Sequence, residues 1–160
     1  MLKIPISFLV LVLFISCESK TIVAETQSLG DSWKQNEKIE FQIPQLDSLK
    51  TYNVFLNLRN SNEYPFNNIF LIVDMDFPHG RTITDTLEYR MAAPDGSWLG
   101  DGLGSVKESK LWYKEAIRFT EEGTYTLRVS QAVRNNGEVA GVSELKGITD
   151  VGYSIEAATE

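Results

Sequence analysis

Thr120-Glu-Glu-Gly-Thr-Tyr-Thr-Leu-Arg-Val-Ser130 decides the fold class. From Thr124 onward the residues alternate. Tyr125, Leu127 and Val129 go to one face, and Thr124, Thr126 and Arg128 to the other, the period of two of a strand with one buried side. The segment Glu121-Glu-Gly-Thr-Tyr125 resembles the corner that opens a late strand in immunoglobulin-like domains. There a buried tyrosine hydroxyl bonds back to the backbone a few residues upstream. Leu127 stands where an antibody domain carries its second cysteine. The same pattern occurs in jelly rolls, so the corner argues for a sandwich more than for any one topology.

Working outward, the same period recurs. Ile39, Phe41 and Ile43 alternate with Glu40 and Gln42 until Pro44 ends the run, and Tyr52, Val54, Leu56 and Leu58 alternate with Asn53, Phe55, Asn57 and Arg59. Arg59 to Pro65 is turn chemistry. Ile69 to Val73 is apolar on both faces, which predicts a central strand covered on both sides, becoming half-exposed at Asp74 and Asp76. Pro78-His-Gly80 reads as a hairpin turn. Arg81 to Met91 then alternates, with Asp85 breaking its apolar face. Leu111 to Phe119 fits either a strand or a short helix. Asn135-Asn-Gly137 is a turn, and a last strand is expected around Gly147 to Glu156 with Ile148, Val151, Tyr153 and Ile155 in the core. About seven short strands with no long helix predict an all-β fold, an antiparallel β-sandwich that is immunoglobulin-like or jelly-roll-like.

The amino-terminal end carries a different signal. Lys3 precedes an apolar run from Ile4 to Ile15, 12 residues long. A helix crossing the hydrocarbon core needs about 20 residues. Twelve suits the apolar part of a secretory signal cut after a small residue, here Ser16. Cys17, the sole cysteine, follows at once, and Leu13-Phe-Ile-Ser-Cys17 resembles the lipobox of bacterial lipoproteins, with Phe14 where most carry Leu. In that class the thiol is acylated and the peptide before it removed. The other readings are a plain secreted protein with an unmodified cysteine and a short anchor helix. Glu18, Ser19 and Lys20 end the apolar run too soon for the helix. The expected organisation is a removed signal peptide (1–16), a lipidated tether (17–36) and a single sandwich domain (37–160).

Charge and composition exclude several functions. The whole chain has a formal net charge of −7; without the leader and its Lys3, 14 basic against 22 acidic residues leave −8. That opposes binding to nucleic acid, which needs clustered Lys and Arg. It also leaves membrane affinity to the acyl chains rather than to charge. With Cys17 acylated no thiol remains for a disulfide or a thiolate metal site.

Candidate site residues are few. Ala92 to Lys110 is rich in glycine and holds Asp95 and Trp98, with Trp112 and Tyr113 just beyond. Aromatics beside such a loop can anchor a protein partner or stack on sugar rings, so Trp98, Trp112, Tyr113 and Asp95 are the candidate partner or glycan contacts. If buried, the aromatics close one end of the core. Asp74 and Asp76, with Asp85 or Asp150, are candidates for an oxygen-rich calcium site, against the simpler reading of a solvated strand end. Asp95 and Asp101 each precede a glycine, ordinary turn chemistry without EF-hand spacing. His79, the sole histidine, reads as a solvated turn residue rather than a general base. No catalytic residue, metal or small-molecule ligand is expected, and no cofactor beyond the covalent lipid on Cys17. Trp33 either packs on the domain or meets lipid headgroups.

The chain resembles the GldH family, gliding-motility lipoproteins of the Bacteroidota. The resemblance rests on Leu58-Arg-Asn-Ser-Asn-Glu-Tyr-Pro-Phe-Asn-Asn-Ile-Phe-Leu-Ile-Val73, Asp85-Thr-Leu-Glu-Tyr89 and Pro94-Asp-Gly-Ser-Trp-Leu-Gly-Asp-Gly-Leu-Gly104. It continues in Lys110-Leu-Trp-Tyr-Lys114, Gly123-Thr-Tyr-Thr126 and Leu145-Lys-Gly-Ile-Thr-Asp-Val-Gly152. It implies an outer-membrane lipoprotein required for gliding, without enzymatic activity, working beside the type IX secretion apparatus and other gliding lipoproteins. Surface export in this phylum is associated with an acidic cluster after the cysteine; Glu18-Ser-Lys20 offers one acid, so the expected orientation is periplasmic. Without the resemblance, a sandwich with loop aromatics suggests a lipid-anchored carbohydrate-binding module.

Overall fold

Strand pairing in this chain is nested. The computed structural model describes residues 20–158, in which ten strands follow in order: β1 (Thr21–Ser28), β2 (Ser32–Lys34), β3 (Ile39–Ile43), β4 (Tyr52–Ser61), β5 (Asn68–Asp76), β6 (Thr82–Arg90), β7 (Val106–Ile117), β8 (Tyr125–Gln131), β9 (Glu144–Lys146) and β10 (Ile148–Ala157). β5 pairs with β6, β4 with β7, β3 with β8, β2 with β9 and β1 with β10, all antiparallel. The chain is thus one long hairpin whose major strand pairs alternate between two sheets. Two further ladders, β4 with β10 and β5 with β8, complete sheets of order β1-β10-β4-β7 and β3-β8-β5-β6. Two four-stranded antiparallel sheets connected in this way make a jelly roll. The immunoglobulin-like alternative would set four strands against three.

The core fills the space between the sheets. Ile69, Leu71, Val73 and Met75 of β5 and Phe41 of β3 face Val54, Leu56 and Leu58 of β4 and Tyr153 of β10, all buried. The Phe41 and Tyr153 rings lie 5.2 Å apart, and the Tyr153 hydroxyl donates to the Gln42 carbonyl at 3.2 Å, joining the sheets. The outer side of β5 differs from expectation. Phe70 and Ile72 are only half-buried, because among the described residues no third layer covers that face.

Aromatic side chains close both ends. At one end the Tyr125 hydroxyl accepts from the Glu121 N–H at 2.9 Å, as the corner motif requires. The Phe119 ring stands perpendicular to Tyr125 at 5.0 Å and meets Tyr52 of the opposite sheet at 5.9 Å. Gly123 turns the chain here with φ 123° and passes so close to Pro78 that a side chain would lie 2.9 Å from the ring. At the other end Trp33 is fully buried, and its indole N–H donates to the Glu37 carbonyl at 3.0 Å.

One sequence expectation needs correction, and two readings left open are decided. The stretch 17–36, read as a tether, is largely fold: β1 and β2 occupy most of it, and Trp33 packs into the domain rather than against lipid. The reason is positional. β1 is an edge strand with most of its side chains in water, so its polar composition mimics a linker. The leader and Cys17 lie outside the described residues. Leu111 to Ile117 forms the end of β7, with Phe119 two residues beyond it, and the alternation there is broken by register shifts opposite Val54 and by Ala116 at φ 48°.

Asp85 explains its own break in the apolar pattern. It pairs with buried Val73 and so shares that residue's inward face at the edge of its sheet. There its carboxylate accepts from the Tyr113 hydroxyl at 3.0 Å and the Lys114 ammonium at 2.8 Å, both on β7 of the other sheet. Desolvation raises its pKa, but the hydrogen bonds from Lys114 and Tyr113 and the Lys114 charge outweigh it and hold the carboxyl below its ordinary range.

Two outcomes follow from this geometry. Tyr125→Phe leaves the Glu121 N–H without its partner and should lower unfolding free energy by about 1–2 kcal/mol in urea titrations; an unchanged midpoint would remove the corner from the stability account. Asp74, Asp76 and Asp85 all have lowered folded-state pKa values. The stability they contribute is therefore present above the unfolded value of about 3.9 and lost as pH falls through the folded values. The urea midpoint should drop as pH falls below the unfolded value of about 3.9, and Asp85→Asn should make that drop shallower.

Candidate functional site

The glycine-rich stretch after β6 is a built structure. Ala92 bridges Trp98, and Leu99 N–H donates to the Met91 carbonyl at 2.9 Å. Between them a tight turn is held by Ala93 N–H to Ser97 O at 2.8 Å and Gly96 N–H to Ala93 O at 2.9 Å. Asp95 serves this turn: its Oδ1 accepts from the Ser97 hydroxyl at 2.6 Å and the Ser97 N–H at 3.0 Å, and these bonds hold its pKa down. Asp101 and Glu108 then exchange two backbone bonds, of 2.8 and 2.7 Å. Gly100 packs so tightly on β7 that a Cβ would lie 2.7 Å from the Glu108 carbonyl oxygen. Beyond Asp101 the tip carries Leu103, whose side chain is wholly exposed.

The three aromatics grouped from sequence do not share a surface. Trp98 is half-buried; its Nε1 donates to Asn62 Oδ1 at 3.0 Å and its ring lies 6.1 Å from Tyr64, at the end of the core where β4 finishes. Tyr113 is 9% exposed and points inward to Asp85. Burial and the Asp85 hydrogen bond push its pKa well up. Trp112 alone is open, at 54% exposure on the outer face of its sheet. Its ring rests 4.4 Å from that of Phe55, and the Lys110 ammonium lies 4.2 Å from the Phe55 centroid while bonding Glu156 at 2.5 Å. Phe55 and Asn62 are seven residues apart, roughly 20 Å along an extended chain, so Trp112 and Trp98 mark different regions.

The register shift in β7 is what separates the neighbours. Trp112 pairs with Phe55 and Lys114 with Val54, leaving Tyr113 as the extra residue. Tyr89 adds to this edge: its hydroxyl donates to the Trp112 carbonyl at 2.5 Å, and burial, with Asp85 adding, raises its pKa to about 12. Sequence reading missed Phe55 as the support beneath Trp112. The available signal was Phe55 itself, the one apolar residue on the otherwise polar side of β4.

The calcium candidates are already engaged. Asp74 accepts from the Thr84 hydroxyl at 2.7 Å and the Lys38 ammonium at 3.1 Å, and Asp76 from the Thr82 hydroxyl at 2.7 Å and the Arg128 guanidinium at 2.5 Å. The threonine bonds lead in lowering both pKa values. Asp85 lies on the opposite face of that sheet and Asp150 in the other sheet, so these four do not converge. Among the described residues no group of three or more His, Cys, Asp or Glu is placed to hold a metal ion. His79 is exposed in its turn; its N–H donates to Glu121 Oε2 at 3.1 Å, and its Nδ1 lies 3.5 Å from the same oxygen.

Comparison with known proteins fits the chain as a whole. The family profile described as GldH lipoprotein matches residues 21–155. A protein of Christiangramia forsetii named gliding motility lipoprotein GldH homolog is 49% identical over 146 residues, 91% of this chain and 90% of that protein. The gliding motility lipoprotein GldH of Flavobacterium johnsoniae is 49% identical over 151 residues, 94% of each chain. Among solved structures, the VP2 subviral particle of infectious bursal disease virus overlays 84% of this chain and 33% of the viral chain, with a TM-score of 0.35 and 13% identity, too loose a likeness to carry an argument. By profile and by identity along nearly its whole length, the chain belongs to the GldH lipoprotein family.

Proposed function

We propose that this protein is an outer-membrane lipoprotein required for gliding motility. It is held by acyl chains on Cys17 and acts without catalysis, as a structural or assembly component beside the type IX secretion and gliding machinery. Its domain faces the periplasm. The observation that carries this reading is the 49% identity, over 94% of the chain, to a protein named for gliding motility. The leader ending at Cys17 supports the anchor. The engagement of Asp74, Asp76, Asp85 and Asp95 by neighbouring side chains or backbone supports a structural role for these carboxylates rather than acid–base work. Its partners are other gliding lipoproteins or secretion-machinery proteins.

One observation favours a second reading. Trp112, open and packed at a tilt of 53° against Phe55, is an exposed aromatic side chain on a sheet face, a form suited to a sugar ring. Under that reading the protein is a lipid-anchored carbohydrate-binding module.

Deletion of the gene should abolish colony spreading on agar, with rescue by wild type but not by Cys17→Ala expressed to the same level. Normal spreading of the deletion strain would reject the gliding role. Rescue by Cys17→Ala would separate gliding from the anchor. Protease treatment of intact cells should leave the domain uncut if it faces the periplasm. Retention of the domain on immobilised cell-envelope glycan, lost in Trp112→Ala, would instead favour the binding module.

A further inference from the structure

The pairing of β1 with β10 fixes which end of the sandwich lies near the anchor. Lys20 precedes β1, and its carbonyl accepts from the Ala157 N–H at 3.4 Å. Tyr52 pairs with both Ala157 and Ile117, and Ala158 N–H donates to the Thr51 carbonyl at 3.0 Å. The start of β1, the end of β10, the loop before β4 and Arg118 after β7 therefore share one end. Only Glu18 and Ser19 separate Cys17 from Lys20. Three residue steps span at most about 10 Å, so an acylated Cys17 brings this end within that distance of the lipid surface.

The side chains at this end suit such a surface. Leu49 is 83% exposed and Ile22 50% exposed. Around them stand exposed Lys20, Lys50 and Arg118, and Leu49, Lys50 and Arg118 line a shallow groove of about 390 Å³ with Ala157 and Ala158. The facing carboxylates are Asp47, 3.8 Å from Lys50, and Glu115 on β7. The other sheet ends here in the 77–81 turn, where Arg81 lies 3.9 Å from Glu121, with Glu122 beyond. Glu156 of β10 is neutralised by Lys110 at this end, so acidic and basic side chains are mixed here, and Lys50 and Arg118 are the basic groups beside Leu49 in the groove. Exposed aliphatic residues beside Lys and Arg are the pattern of a surface resting in a headgroup layer.

We propose that this end of the sandwich docks on the phospholipid surface. Leu49 and Ile22 enter the headgroup region, and Lys20, Lys50 and Arg118 face lipid phosphates. The opposite end, with Leu103 and the 134–141 loop, then points away from the membrane. The inference rests on the acyl anchor at Cys17 and adds an orientation to it.

The test uses the acylated full chain in vesicles of phosphatidylethanolamine and phosphatidylglycerol. Leu49→Cys and Leu103→Cys each carry an environment-sensitive fluorophore, and the vesicles carry a nitroxide quencher at headgroup depth. Mass spectrometry first verifies the acyl group on Cys17. The probe at 49 should shift to shorter wavelength and be quenched, the probe at 103 should do neither, and Lys50→Glu with Arg118→Glu should reduce quenching at 49. An acylated chain with both probes in water, or with 103 quenched and 49 not, overturns the docking while leaving the anchor intact. A chain recovered without acyl groups on Cys17 overturns the anchor, and the docking with it.

Discussion

The ladder between β1 and β10 is the constraint on which the rest depends. It is the outermost rung of a nested hairpin and joins the two ends of the domain to each other. Every other pairing lies inside it, so the loop it closes contains almost the whole folded chain. Closing so long a loop is entropically costly, and the return comes only when the sheets bury their facing sides together. The buried residues of β10, Val151, Tyr153 and Ile155, join the two ladders of that strand to the shared core.

The same ladder links fold to function. A sandwich on a long flexible tether could reach partners in any direction. With the anchor proposed at Cys17, a sandwich whose first strand starts at Thr21 has its orientation set by the strand that follows. The built hairpin of residues 92–101 and the half-buried Trp98 then stabilise the far end rather than offering a mobile binding loop. Exposed Trp112 lies on the flank, resting on Phe55, whose ring also carries the Lys110 ammonium.

Much of the fold was legible because strands with one wet face write their burial directly into alternation, as in β3, β6 and β8. The tyrosine corner was legible for the same reason that it works: Gly123 and Tyr125 are chemically specific. What could not be read has particular causes. β1 is an edge strand and looks like a linker. β7 carries register shifts and a left-handed Ala116, which scramble its period. Phe70 and Ile72 are apolar but half-exposed, so their type alone suggested a covering layer that the described residues do not form. Of the candidate site, the types of residue were legible, whereas their grouping was not. The shift that turns Tyr113 inward and leaves Trp112 outward depends on pairing between β7 and β4, and a one-dimensional pattern carries no register.

Hydrogen exchange on the intact chain tests the central claim most directly. If β1 belongs to the sandwich, the amides of Thr21–Ser28 that bond to β10 exchange slowly, in the same class as the amides of β10 and β4. Exchange across residues 21–28 at the rate of an unstructured peptide, with β10 still protected, would return this segment to the role of a tether and remove the fixed orientation of the domain.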